Sequence, residues 1–216
     1  SDNKNIFYFF IHIRVINFMH RIFYILIFGM GFVVLTIAVF MTSEFYANKW
    51  NSERLRQIRL IDSQGNSWDL SKLNDKLGII YFGYTFCPDL CPSALNDLSI
   101  ALEGMGHDRD LYQPLFISVD PERDTQRVIQ DYIQHFSKNL IGLSGSAAKL
   151  KSFTFNIGAT YAQQRKTPDD QNYLVNHTVG YFMVNSEGQR FPIPIKDNPE
   201  QLRKIITLLK EKMLKK

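Results

Sequence analysis

The sequence predicts an α/β sandwich domain behind an N-terminal transmembrane helix. Three observations carry that reading. The run from Ile22 to Met41 holds no charged residue. Downstream, short continuous apolar runs alternate with helical patterns. The chain then closes on a strand pair and an amphipathic helix. Strands that alternate with helices, followed by a terminal hairpin and helix, make a layered α/β domain. The expected parts are an arm over 1–21, an anchor over 22–41, a connector over 42–57 and the folded domain over 58–216.

The anchor matches a bilayer core, which needs about 20 apolar residues in a helix. His20 and Arg21 precede it, and Ser43 and Glu44 follow. Tyr24, Tyr46 and Trp50 stand where interfacial aromatics sit. A core helix would show a polar stripe, and this run has none. A cleaved signal peptide would end in small residues of the A-x-A kind, unlike Ala38-Val39-Phe40-Met41. Arg14 and Arg21 favour a cytoplasmic N-terminus, while Lys49, Arg54, Arg56 and Arg59 oppose that bias. The stretch Ile6–Ile16 is apolar but interrupted by His12 and Arg14, and reads as interfacial.

The chain has 216 residues and a net charge of +4, enough length for one or two domains. Lys4, Arg14 and Arg21 against Asp2 supply half of that excess before residue 44. No basic cluster interleaves with aromatics, so a nucleic-acid groove is not expected. Two cysteines in a chain of this length rule out a disulfide-stapled miniprotein.

Within the domain, Ile58–Ile61 and Ser67–Leu70 flank Gly65 and read as a hairpin. Ile79–Phe82 lies between Gly78 and Gly83 as a strand buried on both faces. From Ser93 the pattern turns helical, with Leu95, Leu98 and Leu102 on one side and glycines 104 and 106 at the stop. Leu115–Val119 is a second buried strand and Asp120–Asp124 a polar turn. Val128, Ile129, Tyr132, Ile133 and Phe136 mark the next helix face. Leu140–Leu143 reads as a strand and Ala147–Phe155 as a helix. Residues 163–172 read as a loop. Val179–Val184 and Arg190–Ile195 read as paired strands, and Pro192 and Pro194 place the second at a sheet edge. Glu200–Leu214 is the closing helix.

Both cysteines sit in Tyr84-Thr85-Phe86-Cys87-Pro88-Asp89-Leu90-Cys91-Pro92, between the first buried strand and a helix. A thiol pair at that junction points to a thioredoxin-like sandwich. Pro92 suits the first helical position, which puts Cys91 at the helix entrance. Free N–H groups and the dipole there favour thiolate. The spacing is C-x-x-x-C, one residue longer than the usual thioredoxin pair. By itself the motif fits a disulfide, a redox dithiol or a metal site. Soft thiolates favour Cu(I), and imidazole also suits copper.

A third ligand would come from the five histidines. His12, His20, His107 and His135 read as surface or packing residues. His177 ends a polar stretch just before a predicted strand, and a thioredoxin-like sheet would turn that approach toward the cysteines. By position alone it fits a ligand or a structural histidine. Asp120 ends a buried strand, where α/β sheets place ligand-binding residues, or else caps the next turn. Met105 and Met183 read as packing.

Three ordered blocks resemble the Sco/SenC family: Ile80–Pro92 (IYFGYTFCPDLCP), Pro114–Thr125 (PLFISVDPERDT) and Tyr173–Thr178 (YLVNHT). The resemblance covers most of 58–190. It implies a membrane-tethered thioredoxin-like domain that binds copper, as Cu(I) or Cu(II), through Cys87, Cys91 and His177. It also makes Asp120 a candidate beside the ligands or in copper transfer. The implied role is assembly of the binuclear copper centre of cytochrome c oxidase subunit II, with a copper donor and a thiol reductant as further partners. The implied site is a single-pass inner membrane protein facing the periplasm or the mitochondrial intermembrane space. Asn176 stands where many members have Asp, and Phe86 where many have His. The segment after Arg190 matches poorly.

The resemblance implies a carrier rather than an enzyme. The alternative is a thiol–disulfide oxidoreductase that reduces the target's cysteines and dispenses with His177. A third reading is an interaction module with a structural disulfide. Between Asp169 and Arg190 no proline stands where such oxidoreductases place a cis-proline.

Overall fold

The computed structural model describes residues 2–167, 169–195 and 198–214. Helix α1 runs from Asp2 to Gln57. Before Ile25 only the side chains of His20 and Phe23 are described, so expectations placed on His12, Arg14, Arg21 and Tyr24 lie outside the described residues. From Ile25 onward this helix is long and apolar enough to cross a membrane by length and composition. Its large apolar side chains, from Phe23 through Met41, are exposed on every face. The helix does not stop at the predicted connector but continues through 42–57. The chain divides into two compact units, Ser1–Lys49 and Trp50–Lys216.

In the second unit, β1 (Leu60–Asp62) and β2 (Ser67–Trp68) form the predicted hairpin. Gly65 takes φ +88° in its turn, a conformation that disfavours side chains. Asp62 Oδ1 accepts from the amides of Gln64 and Asn66 at 2.9 and 2.8 Å and fixes that turn. The strands and α-helices that follow are β3 (Leu77–Gly83), α2 (Leu90–Glu103), β4 (Tyr112–Ser118), α3 (Gln126–Ile133), β5 (Ile141–Ser144) and α4 (Ala147–Ile157). After them come β6 (Tyr161–Gln164), β7 (Leu174–His177), β8 (Tyr181–Val184), β9 (Arg190–Ile193) and α5 (Pro199–Leu214).

Seven strands form one sheet in the order β2-β1-β5-β4-β3-β8-β9. Strands β5, β4 and β3 are parallel, β8 pairs antiparallel with β3, and β9 pairs antiparallel with β8. With α2 and α5 packed together, this is the thioredoxin-like sandwich that the thiol pair predicted. Every residue of β3 is buried, as its continuous apolar run required. Pro192 does fall in the edge strand β9, and Pro194 lies just past the end of that strand.

Side chains of β3 alternate between the two faces. Tyr81 packs against Tyr181, whose hydroxyl donates to Ala94 O of α2 at 2.8 Å. Phe82 turns the other way onto Phe153 of α4, with ring centroids 6.3 Å apart. The cysteine helix and the α4 helix therefore cover opposite faces of one strand. Hydroxyl caps start two helices, with Thr125 accepting from Val128 N and Ser146 from Lys149 N.

Several boundaries differ from expectation, two of them near the cysteine loop and the histidine. Helix α2 starts at Leu90 rather than Ser93, so Pro92 is its third residue. First-turn amides have no intrahelical acceptor, so a proline anywhere in that turn loses no bond. Of the predicted loop 163–172, Gln163 and Gln164 belong to β6, which pairs with β7, and the described remainder is the loop of that hairpin.

Phe153 is fully buried and joins α4 to β3, so Phe153→Ala should destabilise the domain by about 3–5 kcal/mol. The measurement is the urea midpoint with its slope unchanged. A loss below about 1 kcal/mol would show that this face of the sheet is not closed by that ring.

Candidate metal centre

The end of β3 feeds directly into the cysteine loop. The loop turns back on itself, with Cys87 N donating to Tyr84 O at 3.2 Å. Its second residue, Thr85, is held from outside. The Asp124 carboxylate accepts from Thr85 N at 2.9 Å, from Thr85 Oγ1 at 2.6 Å and from Ser118 Oγ at 2.6 Å. Asp124 is buried, and burial pushes its carboxyl up while these hydrogen bonds hold it down.

Cys87 is half-buried and Cys91 is wholly buried in the first turn of α2. Both are free thiols. Cys91 N donates to Cys87 Sγ at 3.4 Å, so the free amide of the helix start serves the loop sulfur. The sequence argument expected the helix entrance to favour thiolate at Cys91. For that residue the structure gives the reverse: burial, reinforced by the Cys87 thiol, pushes the Cys91 thiol up to about 12. Desolvation of a fully enclosed sulfur outweighs the dipole of the helix.

His177 closes β7 and pairs across the hairpin with Tyr161. Its Nε2 lies 3.6 Å from Cys91 Sγ, joining residues 86 positions apart. Nδ1 lies 3.0 Å from Thr178 O. A proton on Nδ1 is donated to that carbonyl, which leaves the Nε2 lone pair facing the sulfur. This is the tautomer that a metal ligand needs. Burial lowers the imidazole's affinity for a second proton, with the Thr178 carbonyl opposing. The ring stands edge-on to Tyr81 and Tyr84, with centroids 6.0 and 6.3 Å away.

Tyr81 Oη is buried without a hydrogen bond of sound geometry. Burial, and after it the neighbouring Cys91 sulfur, raise the cost of ionising this phenol, while the phenol in turn eases the ionisation of Cys91.

Among the described residues, no three His, Cys, Asp or Glu side chains already converge to hold an ion. The structure brings His177 to Cys91 and Cys87 to the Cys91 amide, as a dithiol with an imidazole beside it. Two thiols and an imidazole are a donor set of the kind that fits copper.

Asp120 does not reach this group through any hydrogen bond. It is fully buried, accepts from Tyr173 Oη at 2.5 Å and from Arg123 Nε at 2.6 Å, and its amide donates to Ser118 Oγ at 3.1 Å. The residue of this turn that grips the cysteine loop is Asp124, which sequence reasoning missed. Its one signal was a second aspartate four residues after the first. Of the other candidates, His20, His107 and His135 are exposed, Met183 is buried in β8 and Met105 packs at the core edge.

The SCO1/SenC family model matches residues 48–210. The SCO2-like protein of Rickettsia prowazekii is 36% identical over 132 residues, which is 61% of this chain and 64% of that protein, a little under two thirds of its length. The copper-bound structure of Bradyrhizobium japonicum ScoI is 32% identical over 70% of this chain and 96% of that one, with a TM-score of 0.62. Copper-bound yeast Sco1 is 29% identical over 74% of this chain and 92% of that one, with a TM-score of 0.64. The family match spans the thiol pair, the D-P-E-R-D turn and the histidine hairpin in one piece, and by it the chain belongs to the SCO1/SenC family.

Proposed function

We propose that this chain is a membrane-anchored copper carrier that holds the ion through Cys87, Cys91 and His177. The observation that carries the reading is the 3.6 Å approach of His177 Nε2 to Cys91 Sγ, with the second thiol alongside. The solved Bradyrhizobium ScoI and yeast Sco1 structures, both with copper bound, support it. The exposed apolar helix over Ile25–Met41 is the anchor, with the arm before it and the domain from residue 58 behind it. The domain faces the periplasm or the mitochondrial intermembrane space. The recipient is subunit II of cytochrome c oxidase, where the ion completes a binuclear centre. A copper donor and a thiol reductant serve the same site.

Copper is the cargo here. Binding requires thiolates, and the resting site keeps Cys91 protonated, so loading releases the Cys91 proton. The neutral His177 is already in its ligating tautomer. Cys87 is the donor that has to turn away from the Cys91 amide. Exchange with a partner disulfide passes two electrons and two protons to that partner, which leaves as a dithiol, forms the Cys87–Cys91 bond and withdraws two of the three ligands. Cargo loading thus depends on the reductant. Asp120 stands one contact away from the ligand loops and supports them through Tyr173 and Arg123.

Anaerobic titration of the reduced full chain in detergent should give one Cu(I) per chain. His177→Ala should weaken binding by at least the 10–100-fold seen when a supporting residue is lost. Insulin reduction that persists in His177→Ala, with wild-type copper affinity, would favour the thiol reductase instead.

Gly83 tests the fit of the sulfur. A Cβ there would fall 2.9 Å from Cys91 Sγ and 3.0 Å from the Phe116 ring. Gly83→Ala should displace that sulfur, weaken Cu(I) binding and cost about 1–3 kcal/mol of stability. Unchanged copper affinity in a folded Gly83→Ala protein would mean that Cys91 does not bind from this position.

A further inference from the structure

Arg123 touches both segments that bear the proposed ligands. Its Nε donates to Asp120 Oδ2 at 2.6 Å and its Nη1 to Gln171 O at 3.2 Å. The guanidinium lies over Tyr173 at 3.6 Å from the ring centroid. It also lies 5.0 Å from the ring centroid of Phe86 and 5.6 Å from that of Tyr84. Its side chain is only 11% exposed, and Nη2 is buried with no hydrogen-bond partner. Burying a guanidinium and leaving one of its nitrogens unmet is costly, so something about its place must need it.

Its neighbours indicate what that is. Phe86 is the residue before Cys87, and Tyr84 opens the same loop. Gln171 and Tyr173 lead into β7, which ends on His177. Tyr173 also donates to Asp120, so ring, carboxylate and guanidinium form one closed contact. No hydrogen bond within the β3–β4 ladder fixes the β6–β7 hairpin, which forms its own two-stranded sheet. A planar group with two faces and a fork of donors can hold two loops at a set separation, and a lysine cannot.

We propose that Arg123 is a positioning residue that sets the distance between the cysteine loop and the His177 hairpin. It thereby governs copper affinity without touching the ion. This rests on the three-ligand reading above. Arg123 would act only through the relation of His177 to the thiols, which separates it from a residue that merely stabilises the fold.

The test is a double-mutant cycle on the reduced full chain in detergent, read by Cu(I) competition with a chromophoric chelator and by the thiolate-to-Cu(II) charge-transfer band. Arg123→Lys should weaken Cu(I) binding about 10–100-fold and shift the band. In a His177→Ala background the same change should move affinity by less than about threefold, since the contact it positions is already gone. Tyr173→Leu removes the ring but leaves the Asp120–Arg123 pair, and should repeat the pattern if Arg123→Lys does not fold. Equal losses in both backgrounds, or wild-type affinity in Arg123→Lys and Tyr173→Leu, would overturn the positioning role alone. A wild-type chain that takes up no copper, or His177→Ala binding as tightly as wild type, would overturn the three-ligand reading and this inference with it.

Discussion

The buried Asp124 carboxylate is the constraint on which the thiol geometry depends. It sits just past β4 and gathers Ser118, the Thr85 hydroxyl and the Thr85 amide onto one side chain. A carboxylate in such a place is expensive unless its oxygens are met, and here three donors meet them. Because Thr85 is two residues before Cys87, the grip fixes where the loop leaves the sheet. Everything downstream, including the entry into α2 and the depth of Cys91, follows from that departure point. The loop is therefore anchored from a neighbouring strand and not only by its own turn.

The two cysteines share a loop but not an environment. One receives an amide of the helix start, and the other is enclosed between β3, α2 and the histidine ring. Proximity to a helix terminus is a weak predictor where burial differs this much. The imidazole shows the complementary case. Its orientation is set by a main-chain carbonyl one residue away, so the useful nitrogen is selected locally while its target is brought from far along the chain.

Much of this was legible beforehand. The continuous apolar runs at Ile79–Phe82 and Leu115–Val119 suited strands covered on both faces, and they lie in and beside β3 and β4. The prolines after Arg190 announced an edge. The motif blocks pointed to Cys87, Cys91 and His177 through family resemblance, while position alone left His177 undecided. Other features were hidden for physical reasons. Tyr161–Gln164 is too short and polar to read as a strand, and it becomes one only because β7 lies against it. Asp120 and Asp124 are the same residue type in one turn, and only burial and partners tell them apart. The thiol affinity for protons depends on depth, which no spacing rule reports. Arg123 reads as a surface charge until the aromatic rings around it are seen.

The unequal depth of the sulfurs orders any encounter with solvent. Cys91 offers no surface to an arriving molecule, whereas Cys87 does, beside the exposed rings and methyls of Phe86 and Leu90. A foreign thiolate, oxidant or ion meets the outer sulfur first and reaches the inner one only through it. Traffic at this pair therefore has a front door and a back room.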